Sequence, residues 1–233
     1  MDYNYRPRTR YEKFGLGVYR ALAQKFPQTY FVGGMVRDLL LGKKITDIDL
    51  ATAARPEQVQ KVLEASGIRH NMAFRKFGVV RAQQGKMIVE VATFRQDIPA
   101  ANRYPEVRFV KAPKADSGRR DFTVNALYYD PRDGRILDFH GGLADLRKRR
   151  LKFIGVPARR IAEDPLRIIR ALRFQAQLNF KLDAAAAHAI KKYFSLTKKL
   201  SRAKIEAEIL KLPTSKQQKT LRKIINSYPL DAK

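Results

Sequence analysis

Phe31-Val-Gly-Gly-Met-Val-Arg-Asp38, followed closely by Thr46-Asp-Ile-Asp-Leu-Ala51, is the stretch from which the fold is read. Tyr30-Phe-Val32 is a short apolar run of strand length that ends on the pair Gly33-Gly34. A helical stretch, Met35 to Leu41, follows and stops at Gly42. In the second segment Asp47 and Asp49 alternate with Ile48 and Leu50. Strand side chains alternate faces, so both carboxylates leave one face and both aliphatics the other. Two carboxylates on one face repel unless a cation lies between them. Carboxylates, phosphates and water are hard oxygen ligands that suit Mg²⁺. A metal pair ~3.5–4 Å apart can activate an attacking hydroxyl and stabilise a leaving pyrophosphate.

A bare Asp-x-Asp is more often an exposed edge-strand face, and the upstream segment changes the balance. Glycines at Gly33-Gly34 permit close backbone approach, and free amides at a helix start favour phosphate. Arg37 adds a charged donor matched to phosphate oxygens. Strand, glycine pair, helix start and carboxylate pair together describe a nucleoside triphosphate site. Glu90, within Ile88-Val-Glu-Val-Ala92, is either a third carboxylate pointing toward the pair or a rim glutamate in a salt bridge.

Outward from this centre, Phe14, Val18, Leu22 and Phe26 recur at helical steps over Tyr11–Phe26. A helix is predicted from about Pro56 to Ser66, and strands near 78–83 and 87–94 joined at Gly85. Residues 96–118 hold three prolines and read as a loop with one strand near 107–110. Asp121 is expected to open a short helix. Tyr128–Asp130 and Ile136–Phe139 flank the turn Pro131-Arg-Asp-Gly134 as a hairpin. After Pro157 the pattern is purely helical, over about 163–178, 183–195, 201–211 and 215–227. Mixed strands and helices followed by helices alone predict an α+β chain of two domains, 1–155 and 156–233.

Charge narrows the partners. The 233 residues carry 48 Lys+Arg against 22 Asp+Glu, a formal net charge of +26. From Gly141 onward 23 basic residues stand against 7 acidic ones, so the positive excess is densest there. Such a surface attracts polyanions, RNA among them, and this reading is favoured over a merely solvated basic face, which charge alone does not exclude. There is no cysteine, which excludes disulfides and thiolate metal sites. No apolar run reaches the ~20 residues of a membrane span, and the N-terminus lacks a secretory h-region, so a cytoplasmic address is expected.

At this point the motifs match a known family. Gly33-Gly-Met-Val-Arg-Asp-Leu-Leu-Leu-Gly42 with Asp47-Ile-Asp-Leu-Ala-Thr52 resembles the first motif of class II tRNA nucleotidyltransferases and bacterial poly(A) polymerases. The likeness continues in Glu90-Val-Ala-Thr-Phe-Arg95, Arg119-Arg-Asp-Phe-Thr-Val-Asn-Ala126 and Gly141-Gly-Leu-Ala-Asp145. It extends through Glu163-Asp-Pro-Leu-Arg-Ile-Ile-Arg-Ala-Leu-Arg-Phe174, so it covers roughly residues 30–180 in order. The resemblance implies a polymerase-beta-like nucleotidyltransferase head with a mixed β-sheet, followed by an all-helical neck. It implies addition of C-C-A to tRNA 3′ ends from CTP and ATP, with Mg²⁺ held by Asp47 and Asp49. Poly(A) synthesis, partial CC- or A-addition, and a non-catalytic RNA-binding protein are the alternatives.

The resemblance also assigns roles. Gly33, Gly34 and Arg37 would meet the triphosphate. Arg120, Asp121 and, in the same motif, Asn125 would hold phosphates and ribose. Asp164 and Arg167 would read the base, with Arg170 and Arg173 lining the pocket. For Asp121 a simple N-cap is the competing role. Residues 164, 167, 170 and 173 form a slanting stripe if all lie on one helix, which an ordinary basic helix would also show. A carboxylate only accepts hydrogen bonds and a guanidinium only donates them. Cytosine and adenine present an amino donor beside a ring-nitrogen acceptor, whereas uracil and guanine put a carbonyl there. Asp164 with Arg167 should therefore accept C and A. His70, His140 and His188 are scattered and expected to be structural, and so are at least two of Tyr104, Tyr128 and Tyr129. Two departures from the family pattern stand out. Residues 96–105 look shorter than its flexible loop. The chain also ends soon after Ser201-Arg-Ala-Lys-Ile-Glu-Ala-Glu-Ile-Leu210, which resembles the neck, so a truncated body is expected and the dense charge would compensate for it.

Overall fold

A computed structural model describes residues 4–98 and 106–228. The chain begins with α1 (Arg10–Lys25), β1 (Thr29–Val32), α2 (Gly34–Leu40), β2 (Ile48–Thr52) and α3 (Pro56–Ala65). Then come β3 (Arg69–Asn71), β4 (Val79–Gln84), β5 (Met87–Thr93), β6 (Arg95–Ile98), β7 (Glu106–Phe109) and α4 (Pro113–Ser117). The hairpin β8 (Leu127–Asp130) and β9 (Arg135–Asp138) precedes α5 (Gly142–Arg147) and β10 (Arg150–Leu151). The remainder is α6 (Pro157–Glu163), α7 (Leu166–Leu178), β11 (Lys181–Leu182), α8 (Ala184–Tyr193), α9 (Arg202–Ile209) and α10 (Ser215–Ser227).

Seven strands form one mixed sheet in the order β3-β4-β5-β2-β1-β8-β9. Only β2 and β5 run parallel within it; the other pairs are antiparallel. One face is covered by α1 and α3, whose Val18, Leu22, Val59 and Leu63 are fully buried. The start of α1 is set by Thr9, whose hydroxyl accepts from the Glu12 amide at 3.1 Å while the Glu12 carboxylate accepts from the Arg8 amide at 3.0 Å. Tyr19 of α1 stacks on Phe31 of β1 at 5.4 Å. Gly15 lets α1 approach β2 closely, since a Cβ there would lie 2.8 Å from Ile48 Cδ1. β2, which carries Asp49 and directly follows Asp47, is thus closely backed by α1. On the opposite face Tyr30, Val32, Ala51, Phe94 and Tyr128 make a second small core.

Several expectations need correction. The 96–118 loop contains two paired strands, β6 and β7, and the helix α4. Its segment 99–105, including Tyr104, lies outside the described residues. The short helix expected at Asp121 is a 3-10 turn over Thr123–Asn125, because Phe122 pairs in extended form with Phe153 and Leu127 already starts β8. The region after Pro157 is not purely helical: β11 pairs parallel with β10. Nor is 163–178 one helix. Pro165 disfavours helical backbone at the preceding residue, and Asp164 sits at φ −151°, ψ 99° between α6 and α7. Asp164 therefore does not share a helix with Arg167, Arg170 and Arg173.

By compactness, Met1–Arg120 with Asn125–Phe139 form one unit, and Asp121–Val124 with His140–Lys233 form another. In the second unit Phe122 packs on Phe153 at 4.8 Å and on Phe174 at 5.6 Å. The Thr123 hydroxyl donates to Asp145 at 2.7 Å, and Arg150 pairs with the same carboxylate. The buried side of α7, with Ile168, Ile169, Leu172 and Leu178, supplies the rest of that core. No helix among the described residues is long and apolar enough to cross a membrane.

Candidate active site

Strand register builds the site. Tyr128 faces Val32, Val32 faces Asp49, Asp49 faces Glu90, and Glu90 faces Arg81, in a row across β8, β1, β2, β5 and β4. Registered neighbours project from the same face of a sheet. Ile48 and Leu50 are buried on the other face, while Asp47 is exposed and Asp49 part-buried. The alternation read from Asp47 to Leu50 is therefore present. The Tyr11 hydroxyl accepts from the Ile48 amide at 2.9 Å and donates to the Ile88 carbonyl at 2.6 Å. It ties β2 to β5 at the end where the carboxylates emerge.

Burial, with the negative charges of Glu90 and Asp47, pushes the Asp49 carboxyl up to about 6, and Arg120 opposes the shift. Glu90 is held by Arg81, with N–O separations of 2.7 and 2.8 Å. The rim salt bridge is thus formed, and Glu90 still adds its charge beside Asp49. A divalent cation held here would offset the mutual repulsion of these carboxylates. Among the described residues no three His, Cys, Asp or Glu side chains converge as a metal cage. The protein ligands would be Asp47 and Asp49, with phosphate and water completing the shell, as is usual for Mg²⁺ at phosphate-transfer sites. The donor set fits that ion.

Beside Asp49 lies Gly33, at φ 72° and ψ −135°, a region that side chains other than glycine rarely adopt. A Cβ at Gly33 would point at Arg120 Nη1, 3.5 Å away, and at Asp49 Oδ2, 3.7 Å away. Glycine keeps open the space bounded by these two groups. Arg37 is 3% exposed; it pairs with Asp38 at 2.8 and 2.9 Å and donates to Asn125 Oδ1 at 2.6 Å. Its guanidinium also underlies the Gly34 backbone, 3.4 Å from where a Cβ would sit. Arg37, Gly34 and Asn125 are thus brought together, with the arginine bracing the glycine turn.

Arg120 is set by Asp116, which the sequence reading passed over. Asp116 is fully buried and accepts from Arg119 at 2.8 Å, Arg120 at 3.2 Å, Tyr128 at 2.5 Å and the Arg95 amide at 3.1 Å. Burial alone would raise its carboxyl, but Arg120 and Arg119 outweigh burial and hold it below the ordinary carboxylate range. Tyr128, itself fully buried, accepts from Arg120 Nε at 3.1 Å and lies 5.1 Å from the guanidinium carbon. The available signal was spacing: Asp116 stands three and four residues before Arg119 and Arg120.

The remaining candidates lie in the second unit. Asp121 Oδ1 accepts from the Phe122 amide at 2.8 Å, and Oδ2 takes Arg170 at 2.7 and 2.9 Å. Arg173 is buried against Glu208 at 2.8 Å and lies over Phe174 at 3.9 Å. Glu208, a second residue that the sequence reading did not single out, also pairs with Arg170 and Lys211. At the α6–α7 break Asp164 Oδ1 accepts from the Leu166 amide at 3.0 Å. Arg167 Nη1 donates to the Arg160 carbonyl at 2.7 Å and to Glu163 at 2.9 Å. Asp164 and Arg167 meet through the backbone, the Arg167 amide donating to the Asp164 carbonyl at 3.1 Å, while their side chains hold other partners.

Comparison with known proteins places this geometry in a lineage. Residues 29–152 match the model of the poly A polymerase head domain. The chain is 35% identical over 231 residues to poly(A) polymerase I of Haemophilus influenzae, covering 94% of this chain and 50% of the relative. It is 40% identical over 197 residues to a CCA-adding enzyme of Lactobacillus delbrueckii subsp. bulgaricus, covering 82% and 48%. The crystal structure of the Bacillus stearothermophilus CCA-adding enzyme in complex with CTP superposes with a TM-score of 0.80 at 33% identity, covering 95% of this chain and 54% of that one. The chain spans about half the length of the curated relatives it matches. With the glycine turn, the carboxylate row and the family match covering the same residues, the chain belongs to the poly A polymerase head domain family.

Proposed function

We propose that this chain is the catalytic part of a template-independent tRNA nucleotidyltransferase that adds C-C-A from CTP and ATP. The observation that carries the proposal is the registered row in which Asp49, flanked by Asp47 and Glu90, faces Gly33 and Arg120. In the reaction the RNA 3′-oxygen bonds the α-phosphorus in line, and the bond from that phosphorus to pyrophosphate breaks. Asp47 and Asp49 would hold Mg²⁺, which when bound supplies activation of the hydroxyl and neutralisation of the leaving charge. Gly33 leaves room for phosphate against the backbone, and Arg120, fixed by Asp116 and Tyr128, meets the phosphate charge. Asp164 and Arg167 supply the acceptor and donor that distinguish C and A from U and G. No side-chain nucleophile is needed, since positioning and electrostatics carry phosphoryl transfer.

The CCA-adding relative and the CTP-bound neighbour support this choice of substrates. A second reading, poly(A) synthesis, is favoured by the poly(A) polymerase relative, whose match runs over nearly the whole chain. The shared chemistry is tested first. Asp47→Asn and Asp49→Asn should abolish Mg²⁺-dependent nucleotide incorporation. Mg²⁺ should raise the melting temperature of the wild type and leave that of either variant unmoved. Near-wild-type turnover in either variant would end the two-carboxylate proposal.

A further inference from the structure

The turn between β3 and β4 exposes what a folded surface ordinarily hides. Residues 73–77 are all exposed, and Phe74 and Phe77 are the exposed phenylalanines among the described residues, each at 39%. Arg75 and Lys76 lie between them. The turn is firmly built. Asn71 Oδ1 accepts from the Ala73 amide at 2.7 Å, the Phe77 amide donates to the Phe74 carbonyl at 2.9 Å, and Arg95 Nη1 donates to the Phe77 carbonyl. Gly78 closes it at φ 74°, where a Cβ would strike the Phe109 ring at 2.7 Å.

Its position gives the exposure a purpose. Arg81 of β4 lies in the carboxylate row, paired with Glu90, which faces Asp49. The same guanidinium sits over the Phe74 ring, 4.3 Å from its centre. Phe74 is therefore one side chain beyond the row, on the sheet face that carries Asp49. Aromatic rings interleaved with cations bind single-stranded nucleic acid, since every base has a face to stack and every link a phosphate.

We infer that Phe74, with Phe77, Arg75 and Lys76, is a stacking platform for the single-stranded 3′ end of the acceptor RNA. It holds the nucleotides that precede the reacting hydroxyl, and Arg81 braces the ring while neutralising Glu90. This inference rests on the nucleotidyltransferase reading above.

The test measures Michaelis constants separately for tRNA lacking its C-C-A end and for CTP, in wild type, Phe74→Ala and Phe74→Trp. Phe74→Ala should raise the tRNA constant about tenfold, the loss of roughly one stacked base, and leave the CTP constant within about twofold. Phe74→Trp should restore tRNA binding. Arg75→Ala with Lys76→Ala should lower the slope of log affinity against log salt by about one to two. An unchanged tRNA constant in Phe74→Ala, equal rises in both constants, or failure of the tryptophan variant to restore binding would overturn the platform. A wild-type chain that neither binds nor extends RNA would instead overturn the reading on which the platform depends.

Discussion

Asp116 shows how a residue away from the reacting atoms governs the site. Its buried carboxylate gathers Arg119, Arg120 and Tyr128, and through Arg120 it places a cation beside Asp49 and Gly33. Asp116→Asn removes the carboxylate that Arg119 and Arg120 share, a loss of about 3–5 kcal/mol for a broken buried pair. The pH dependence follows from the direction of the shift. The native Asp116 carboxyl lies below its ordinary value, so its stabilisation is complete above that value and is lost as pH falls through the native one. Denaturant unfolding across pH should show a wide gap between wild type and variant at neutrality, closing in acid. A gap that does not change with pH would mean that Asp116 acts by shape alone. At Asp164 the expected effect is on base choice. Asp164→Ala removes an acceptor for the exocyclic amine, so CTP and ATP use should weaken while UTP and GTP use improves relatively. Unchanged discrimination among the four triphosphates would move base reading elsewhere.

Among the elements, the turn from β1 into α2 carries the most consequence per residue. Gly33 adopts backbone angles whose cost to alanine is on the order of 1–3 kcal/mol. A methyl there would also rest in van der Waals contact with Arg120 and Asp49, at 3.5 and 3.7 Å, filling space proposed for phosphate. Gly33→Ala should lower stability by about that amount and raise the Michaelis constant for CTP well above that for tRNA, the reverse of Phe74→Ala. A variant that loses stability but keeps its CTP constant would reduce Gly33 to a turn residue. This turn was legible in the sequence because strand, glycine pair and helix signal lie side by side. The alternation from Asp47 to Leu50 was legible for the same reason, since its period is local. Of the β6–β7 pair only the strand near 107–110 was read, because Arg95-Gln-Asp-Ile98 is short, mostly polar and follows β5 almost directly. The break at Asp164 could have been read from Pro165, but helical periodicity on both sides concealed it. Asp116 and Glu208 were missed because a buried carboxylate takes its meaning from partners that the fold supplies.

Across the molecule, a net charge of +26 suits the proposed RNA acceptor, whose phosphates are its densest feature. The family match over residues 29–152 accounts for the head, and the Asp121–Arg170 and Arg173–Glu208 pairs organise the second unit by itself. The whole chain's chemistry is read most directly on tRNA lacking its C-C-A end, with Mg²⁺ and CTP alone, ATP alone, or both. Transfer by Asp47 and Asp49 with base reading by Asp164 and Arg167 predicts two added C residues with CTP alone. With both nucleotides it predicts two C residues followed by one A, and then a stop. A long A tail from ATP alone would identify a poly(A) polymerase, and a halt after two C residues with both nucleotides would identify a CC-adding enzyme. RNA binding with no incorporation under any of the three conditions would contradict the catalytic role itself.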